Sequence, residues 1–264
     1  MTQTVRVNDV DIAYQWDGLA GGPVVVLSNS LMSNFNMWDD TVGVLTDKYR
    51  VLRYDTRGHG RSGVTPGPYS IESLSKDLIA LLDALKVGKA HVVGLSMGGM
   101  TAQYVGANFP ERVLSLGLCN TASEMPPRAT WAQRIESAQQ GGIEALVDGT
   151  LQRWFREGFT QRAPEKINAV RKMILATTVE GYIANASAVR DMSQTTMLLK
   201  IKAPTLVMTG RQDPACTVEQ GTVLHRMIDG SKFVIIEDAA HLSNIEQPEV
   251  FNRNLRAFLD SVPA

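Results

Sequence analysis

The chain has 264 residues, 44% of them hydrophobic and 20% charged, and a formal net charge of -1. That size suits one large soluble domain, or one domain carrying a sizeable insertion, with enough apolar residues to bury a substantial core. The near-zero charge sets up no field to gather nucleic acid or an anionic membrane surface, and no basic run interleaved with aromatics appears.

The opening Met1-Thr2-Gln3-Thr4-Val5-Arg6 lacks the apolar core of a signal peptide, and no later stretch approaches a membrane span, so a cytoplasmic protein is expected. Val5 to Trp16 alternates apolar and polar residues around Asn8-Asp9, the pattern of an antiparallel hairpin. Gly21-Gly22-Pro23 opens Val24-Val25-Val26-Leu27, an all-apolar run typical of a parallel strand buried on both faces. The loop Ser28-Asn29-Ser30-Leu31 follows, then a helical stretch from Trp38 to Leu45 and a strand from Arg50 to Asp55. The glycine-rich turn from Thr56 to Gly63 lacks the Gly-Lys-Ser/Thr ending of a phosphate loop and reads as structural. Ser70 is placed to N-cap a helix whose Ile71, Leu74, Leu78, Leu81, Leu82 and Leu85 share one face.

Next comes Val92-Val93-Gly94-Leu95-Ser96-Met97-Gly98-Gly99-Met100. An apolar, β-branched run ends in Gly-x-Ser-x-Gly and a helix-compatible segment follows, which is the strand–turn–helix context of a nucleophilic serine. That helix runs to about Phe109 and Pro110 stops it; Val113 to Leu118 is another buried strand. Strands alternating with helices predict an α/β fold with a doubly wound, mostly parallel sheet. From Thr121 to Met197 the rhythm breaks. Segments 129–140, 143–156, 165–177 and 179–192 look helical with no strand between them. Residues 121–197 are therefore expected to form an all-helical cap, and 1–120 with 198–264 the core. The βα rhythm resumes with a strand at 205–209. A capping box, Thr217-x-x-Gln220, then starts a helix to about Ile228. The last strand spans 232–237, and Pro248 begins the final helix through Leu259.

A serine hydroxyl needs a base, and the base needs an orienting acid. Of the four histidines, His91 begins the strand leading to Ser96, at the wrong end of the sheet, His225 lies within a helix, and His59 sits in the glycine-rich turn. His241 follows the last strand, at the carboxyl edge where open α/β sheets bind ligands, and is the expected general base. Asp213 follows the strand 205–209 at the same edge and is the expected acid, ahead of Asp55, Glu237 and Asp238. Two backbone N–H groups should hold the oxyanion, Met97 directly after the serine and Leu31 from the loop after strand 24–27. Cys119 and Cys216 read as small packing residues; no disulfide framework, metal-ligand spacing or cofactor motif is present.

With these residues in place the chain resembles the α/β-hydrolase superfamily and, more narrowly, the 3-oxoadipate enol-lactonases. The resemblance is carried by Leu27-Ser28-Asn29-Ser30-Leu31 with Met37-Trp38-Asp39, and by Leu52-Arg53-Tyr54-Asp55-Thr56-Arg57-Gly58-His59-Gly60. It continues in Gly94 to Met100, in Gly181-Tyr182 with Ala188-Val189-Arg190-Asp191, and in Ala240-His241-Leu242-Ser243-Asn244-Ile245-Glu246-Gln247-Pro248. It implies hydrolysis of an enol-lactone bearing a free carboxylate, in the β-ketoadipate route of aromatic catabolism, through an acyl-enzyme and with no metal or organic cofactor. The substrate carboxylate wants a cationic partner. Arg134, Arg153, Arg156 and Arg190 are the candidates in the cap, with Trp131, Trp154 and Tyr182 as walls. A carboxylesterase or perhydrolase-like esterase shares the same serine machinery and stays open, as does a non-catalytic receptor on the same scaffold. The partner expected is a small lactone or ester, with no nucleic acid or membrane; a homo-oligomer stays open.

Overall fold

The computed structural model describes residues 1–125 and 127–263. Its strands are β1 (Gln3–Val7), β2 (Val10–Gly18), β3 (Val24–Ser28), β4 (Arg50–Tyr54), β5 (Ala90–Leu95), β6 (Val113–Cys119), β7 (Thr205–Gly210) and β8 (Lys232–Ile236). They form one sheet in the order β1-β2-β4-β3-β5-β6-β7-β8. The hairpin β1–β2 is antiparallel and joins β4 antiparallel; from β4 to β8 every neighbouring pair is parallel.

Alternation along the strands divides the apolar residues between two cores. Val26, Leu52, Val92, Leu116 and Val207 face one way. They pack on α2 (Ile71–Ala84), α3 (Met97–Asn108) and α9 (Val218–Met227) through Leu78, Leu82, Ala102, Val105 and Leu224. Val25, Leu27, Val51, Val93 and Met208 face the other way, onto the short α1 (Asp39–Val42) and the long α11 (Pro248–Asp260) through Trp38, Val42, Phe251 and Leu255. The expected capping box of Thr217 with Gln220 forms at α9, and Ser70, expected as an N-cap, forms a second one with Ser73 at α2.

Between β6 and β7 the chain makes α4 (Arg128–Gly141), α5 (Glu144–Trp154), α6 (Glu157–Arg162), α7 (Pro164–Leu175) and α8 (Val179–Asp191). Two expected boundaries shift here. The helix anticipated over 143–156 ends at Trp154, because Phe155 turns extended (φ -136°, ψ 148°) and the next backbone groups bond to the histidine loop instead. A separate α6 precedes Pro164, since Ala163, the residue before a proline, leaves the helical region (φ -129°, ψ 53°). The stretch expected as one helix from Trp38 to Leu45 is a 3-10 turn at Phe35–Trp38 followed by a single α turn. Two short pieces escape the periodicity altogether: α10 (Ser243–Glu246) and a 3-10 stretch at Thr195–Lys200. Among the described residues no helix is long and apolar enough to cross a membrane.

Candidate active site

The parallel strands all deliver their carboxyl ends to one edge, and the chemistry gathers there. Ser96 sits at the junction of β5 and α3 with φ 56° and ψ -118°, a backbone conformation that costs an L-residue free energy and persists only where its surroundings enforce it. Those surroundings are specific. The Ser96 amide bonds to the Cys119 carbonyl, and its carbonyl accepts the Thr121 hydroxyl at 2.7 Å. On either side a Cβ is impossible: at Gly94 it would lie 2.0 Å from the Gly98 carbonyl oxygen, and at Gly98 2.2 Å from that of Ser28. The two glycines thus let β5, α3 and β3 close around the serine.

His241 lies in the loop after β8, 3% exposed. Its Nδ1 is 2.8 Å from Asp213 Oδ2; because a carboxylate only accepts, the ring carries its proton on Nδ1 and leaves Nε2 free toward the cavity. Asp213 is saturated. Oδ1 takes the amides of Ala215 and Cys216, and Oδ2 takes His241 and the Asn120 side-chain amide at 2.9 Å. Asn120, at the end of β6, also donates to the Ala240 carbonyl and accepts the Ser243 hydroxyl at 2.6 Å. Nothing in Leu118-Cys119-Asn120-Thr121 distinguishes Asn120 or Thr121 in the sequence; only the third dimension brings them under the site. Asp213, Cys216 and His241 place ligand atoms within 4.8 Å of one another. With both carboxylate oxygens already doubly engaged, this grouping reads as a hydrogen-bond relay rather than a metal cradle. Burial pushes the Cys216 thiol well up, with the Asp213 charge adding to it, and burial alone does the same to Cys119.

In the loop after β3, the amide of Ser30 bonds to Met37 Sδ and that of Met32 to His59 Nε2, at 3.3 and 2.9 Å. The Leu31 amide between them has no acceptor among the described residues, and neither has the Met97 amide at the start of α3. Asn29 is tied away, donating to the Tyr54 carbonyl and accepting from the Trp38 indole. His59, which bonds the Met32 amide, is held neutral: burial pulls its pKa down to about 4.

Ser96, His241, Ser30 and Leu31 open into one cavity of about 240 Å³, roofed by Trp131, Arg134, Arg153 and Trp154. Arg134 stacks over the Trp131 ring, 4.6 Å from its centroid, and its Nε is buried without a partner. Among the described residues Arg153 reaches only the Thr150 hydroxyl, at 3.2 Å. Neither guanidinium forms an ion pair with any described residue. Burial and the neighbouring Arg134 charge pull the pKa of Arg153 down to about 10. Tyr182, expected as a wall, does not line the cavity: it is wholly buried, and the charges of Arg134 and Arg153 offset part of the upward push that burial gives its hydroxyl. The remaining candidates lie elsewhere. Arg190 is bonded to Asp191 and lines a separate surface groove with Pro66, Pro68 and Glu180, because its place on α8 faces away from the serine. Arg156 is engaged by Glu246 and Asp238.

Residues 23–248 match the family model for the alpha/beta hydrolase fold. The chain belongs to the α/β-hydrolase family. It is a hydrolase of that fold, and its relatives sharpen the picture. The chain is 36% identical to 3-oxoadipate enol-lactonase 2 of Acinetobacter baylyi, over 97% of this chain and 96% of that one. It is similar in structure to the enol-lactonase of Burkholderia xenovorans LB400, with TM-score 0.96 and 38% identity, covering 98% of this chain and 100% of the other. It is also similar to a thermophilic esterase from Thermogutta terrifontis with malate bound, with TM-score 0.92 and 29% identity over 98% of each chain.

Proposed function

We propose that this hydrolase opens 3-oxoadipate enol-lactone, in the catabolism of aromatic compounds, with Ser96, His241 and Asp213 as nucleophile, base and acid and with residues 121–197 as a cap over them. The observation that carries the substrate class is the pair of arginines, Arg134 and Arg153, without carboxylate partners in the wall of the cavity that holds Ser96 and His241. Two partly desolvated cations without counter-ions are costly unless an anionic ligand supplies the missing charge. An ester or lactone bearing a free carboxylate does so, and a guanidinium binds it bidentately. Malate bound to the Thermogutta esterase and the names of the two lactonases support the same class.

In this reading the substrate carboxylate docks on Arg134 and Arg153, which turns the lactone carbonyl toward Ser96. His241 Nε2 takes the serine proton as Oγ adds to the carbonyl carbon, and the imidazolium that forms is stabilised by Asp213. The oxyanion is received by the free amides of Leu31 and Met97. The tetrahedral intermediate collapses by breaking the ring C–O bond; the enol oxygen leaves with the proton from His241 and tautomerises to the ketone. Because the ring opens, the leaving group stays attached to the acyl chain. Water, deprotonated by His241, then releases the acyl group from Ser96.

The test separates the carboxylate from the chemistry. Arg153→Ala and Arg134→Ala should raise KM for a carboxylate-bearing lactone or ester by at least about tenfold, the worth of one charge-assisted hydrogen-bond pair. Neutral p-nitrophenyl acetate should be hydrolysed at nearly the wild-type rate. Equal losses on both substrates would remove the arginines from substrate recognition.

A further inference from the structure

The loop bearing the proposed base, Asp238 to Leu242, is held by the five-helix segment as well as by the sheet. Glu246, on the one-turn helix α10, has a fully buried side chain, yet its carboxylate is completely used. Oε2 accepts the amide of Ala240, the residue before His241, at 2.8 Å. Oε1 accepts both the backbone amide of Arg156, at 3.2 Å, and its Nε, at 3.0 Å. The far side of the same guanidinium donates from Nη1 to Asp238 at 2.7 Å. Just before it in sequence, the Trp154 carbonyl accepts the amide of Leu242, the residue after His241. The Trp154 ring itself lies 6.4 Å from the imidazole, centroid to centroid.

We propose that Arg156 and Glu246 are positioning residues that latch the end of α5 to the histidine loop and thereby set where the His241 imidazole stands over Ser96. An ion pair with one charge fully buried is a poor device for adhesion, because desolvating the Glu246 carboxylate consumes much of the attraction. What it supplies is geometry: a planar fork and a carboxylate with defined directions fix two chain segments relative to each other. Here one segment is Ala240-His241, pinned at its amide by Glu246 and at the Ala240 carbonyl by Asn120. The other carries Arg153 and Trp154 in the cavity wall, within three residues of Arg156. The helix end that grips the substrate carboxylate is therefore the one that steadies the base. An error of about 1 Å in that placement costs on the order of a hundredfold in rate.

The inference rests on His241 being the base, so the experiment measures serine activation alongside turnover. Labelling by a fluorophosphonate, and steady-state hydrolysis of p-nitrophenyl acetate at low temperature, are compared for wild type, Arg156→Ala, Arg156→Lys, the double variant Arg156→Ala/Glu246→Gln, and Asp238→Asn. The latch predicts that Arg156→Ala lowers kcat and the labelling rate together by tenfold or more with KM held. Arg156→Lys, which keeps the charge but not the fork, should recover only part of this. The double variant, which removes the stranded carboxylate and so carries the test if Arg156→Ala fails to fold, should show the same loss and be no faster than Arg156→Ala. Asp238→Asn, on the exposed side, should stay within twofold of wild type. If Arg156→Ala and the double variant keep wild-type kcat and labelling while only their melting temperatures fall, the pair is a brace and the proposal is overturned. Wild type that fails to label at all would overturn the reading of Ser96 and His241 beneath it.

Discussion

His59 does not line the cavity that holds Ser96, yet it bonds the loop that does. Its Nε2 accepts the Met32 amide, which fixes that nitrogen as unprotonated and places the ring proton on Nδ1, toward the Arg57 carbonyl at 3.4 Å. Met32 holds a positive φ of 63°, so the loop adjoining Leu31 stands in a conformation that needs enforcing. Replacing His59 with alanine should release the Met32 amide and let the Leu31 donor wander. If the Leu31 amide is the oxyanion donor proposed above, kcat should fall at least about tenfold with little change in KM, because such a donor acts on the transition state alone. Unchanged kcat in a folded His59→Ala variant would detach His59 from the oxyanion loop. The structural reading of His59 was available from the sequence, since it sits in a glycine-rich turn while His241 follows a strand at the carboxyl edge. Its partner was not, because a backbone amide has no side-chain signature. The same blindness hid Asn120 and Thr121, ordinary residues at a strand end that bond Asp213 and the Ser96 carbonyl. By contrast the shared location of Ser96, Asp213 and His241 was legible, because each follows a recognisable strand at the carboxyl edge.

At the scale of elements, what the sequence displayed was periodicity and punctuation. The all-apolar strands, the Ser70 N-cap, the Thr217-x-x-Gln220 capping box and Pro248 each carry their cause in one short window, and each element stands where that window put it. The end of α5 does not. Trp154 to Arg156 leaves the helix because Leu242 and Glu246 offer its backbone other partners, and those lie about 90 residues away in sequence. The choice among the arginines was hidden for the same reason: four looked alike until helix packing aimed Arg134 and Arg153 inward and Arg190 outward. The serine turn gives the sharpest prediction at this scale. Gly98→Ala puts a Cβ 2.2 Å from a backbone oxygen of Ser28, an overlap no side-chain rotation relieves. Either α3 withdraws from β3 or the fold is lost. The melting temperature should drop by many degrees and fluorophosphonate labelling of any folded fraction should slow at least about tenfold. A Gly98→Ala variant with native stability and native labelling would mean that the packing around the serine is not as tight as described.

The molecule as a whole carries two histidines that folding keeps neutral. His59, and His91 with its ring nitrogen bonded to Ser115, are both pulled by burial to about 4 from an ordinary value near 6.5. The unfolded chain binds protons at these rings below about pH 6.5 while the folded chain refuses them until about pH 4. Their contribution is therefore intact above pH 6.5 and is lost as the pH falls toward 4, by up to about 3 kcal/mol for each ring. Urea unfolding at pH 7.5 and pH 4.5 should show a loss of several kcal/mol, and His91→Gln should remove a sizeable part of that difference. A pH slope identical in His91→Gln and wild type would assign the acid sensitivity to other groups.

The central claim is that a serine activated in this cavity opens a lactone that carries its own anchoring carboxylate. The most direct measurement follows the loss of ultraviolet absorbance of freshly generated 3-oxoadipate enol-lactone with wild type and Ser96→Ala, beside p-nitrophenyl acetate. Wild type should open the lactone with kcat/KM above about 10⁴ M⁻¹s⁻¹ and the acetate far more slowly, and Ser96→Ala should lose both activities. Slow turnover of the lactone by a protein whose Ser96 still hydrolyses the acetate briskly would contradict it, leaving the hydrolase and removing the substrate.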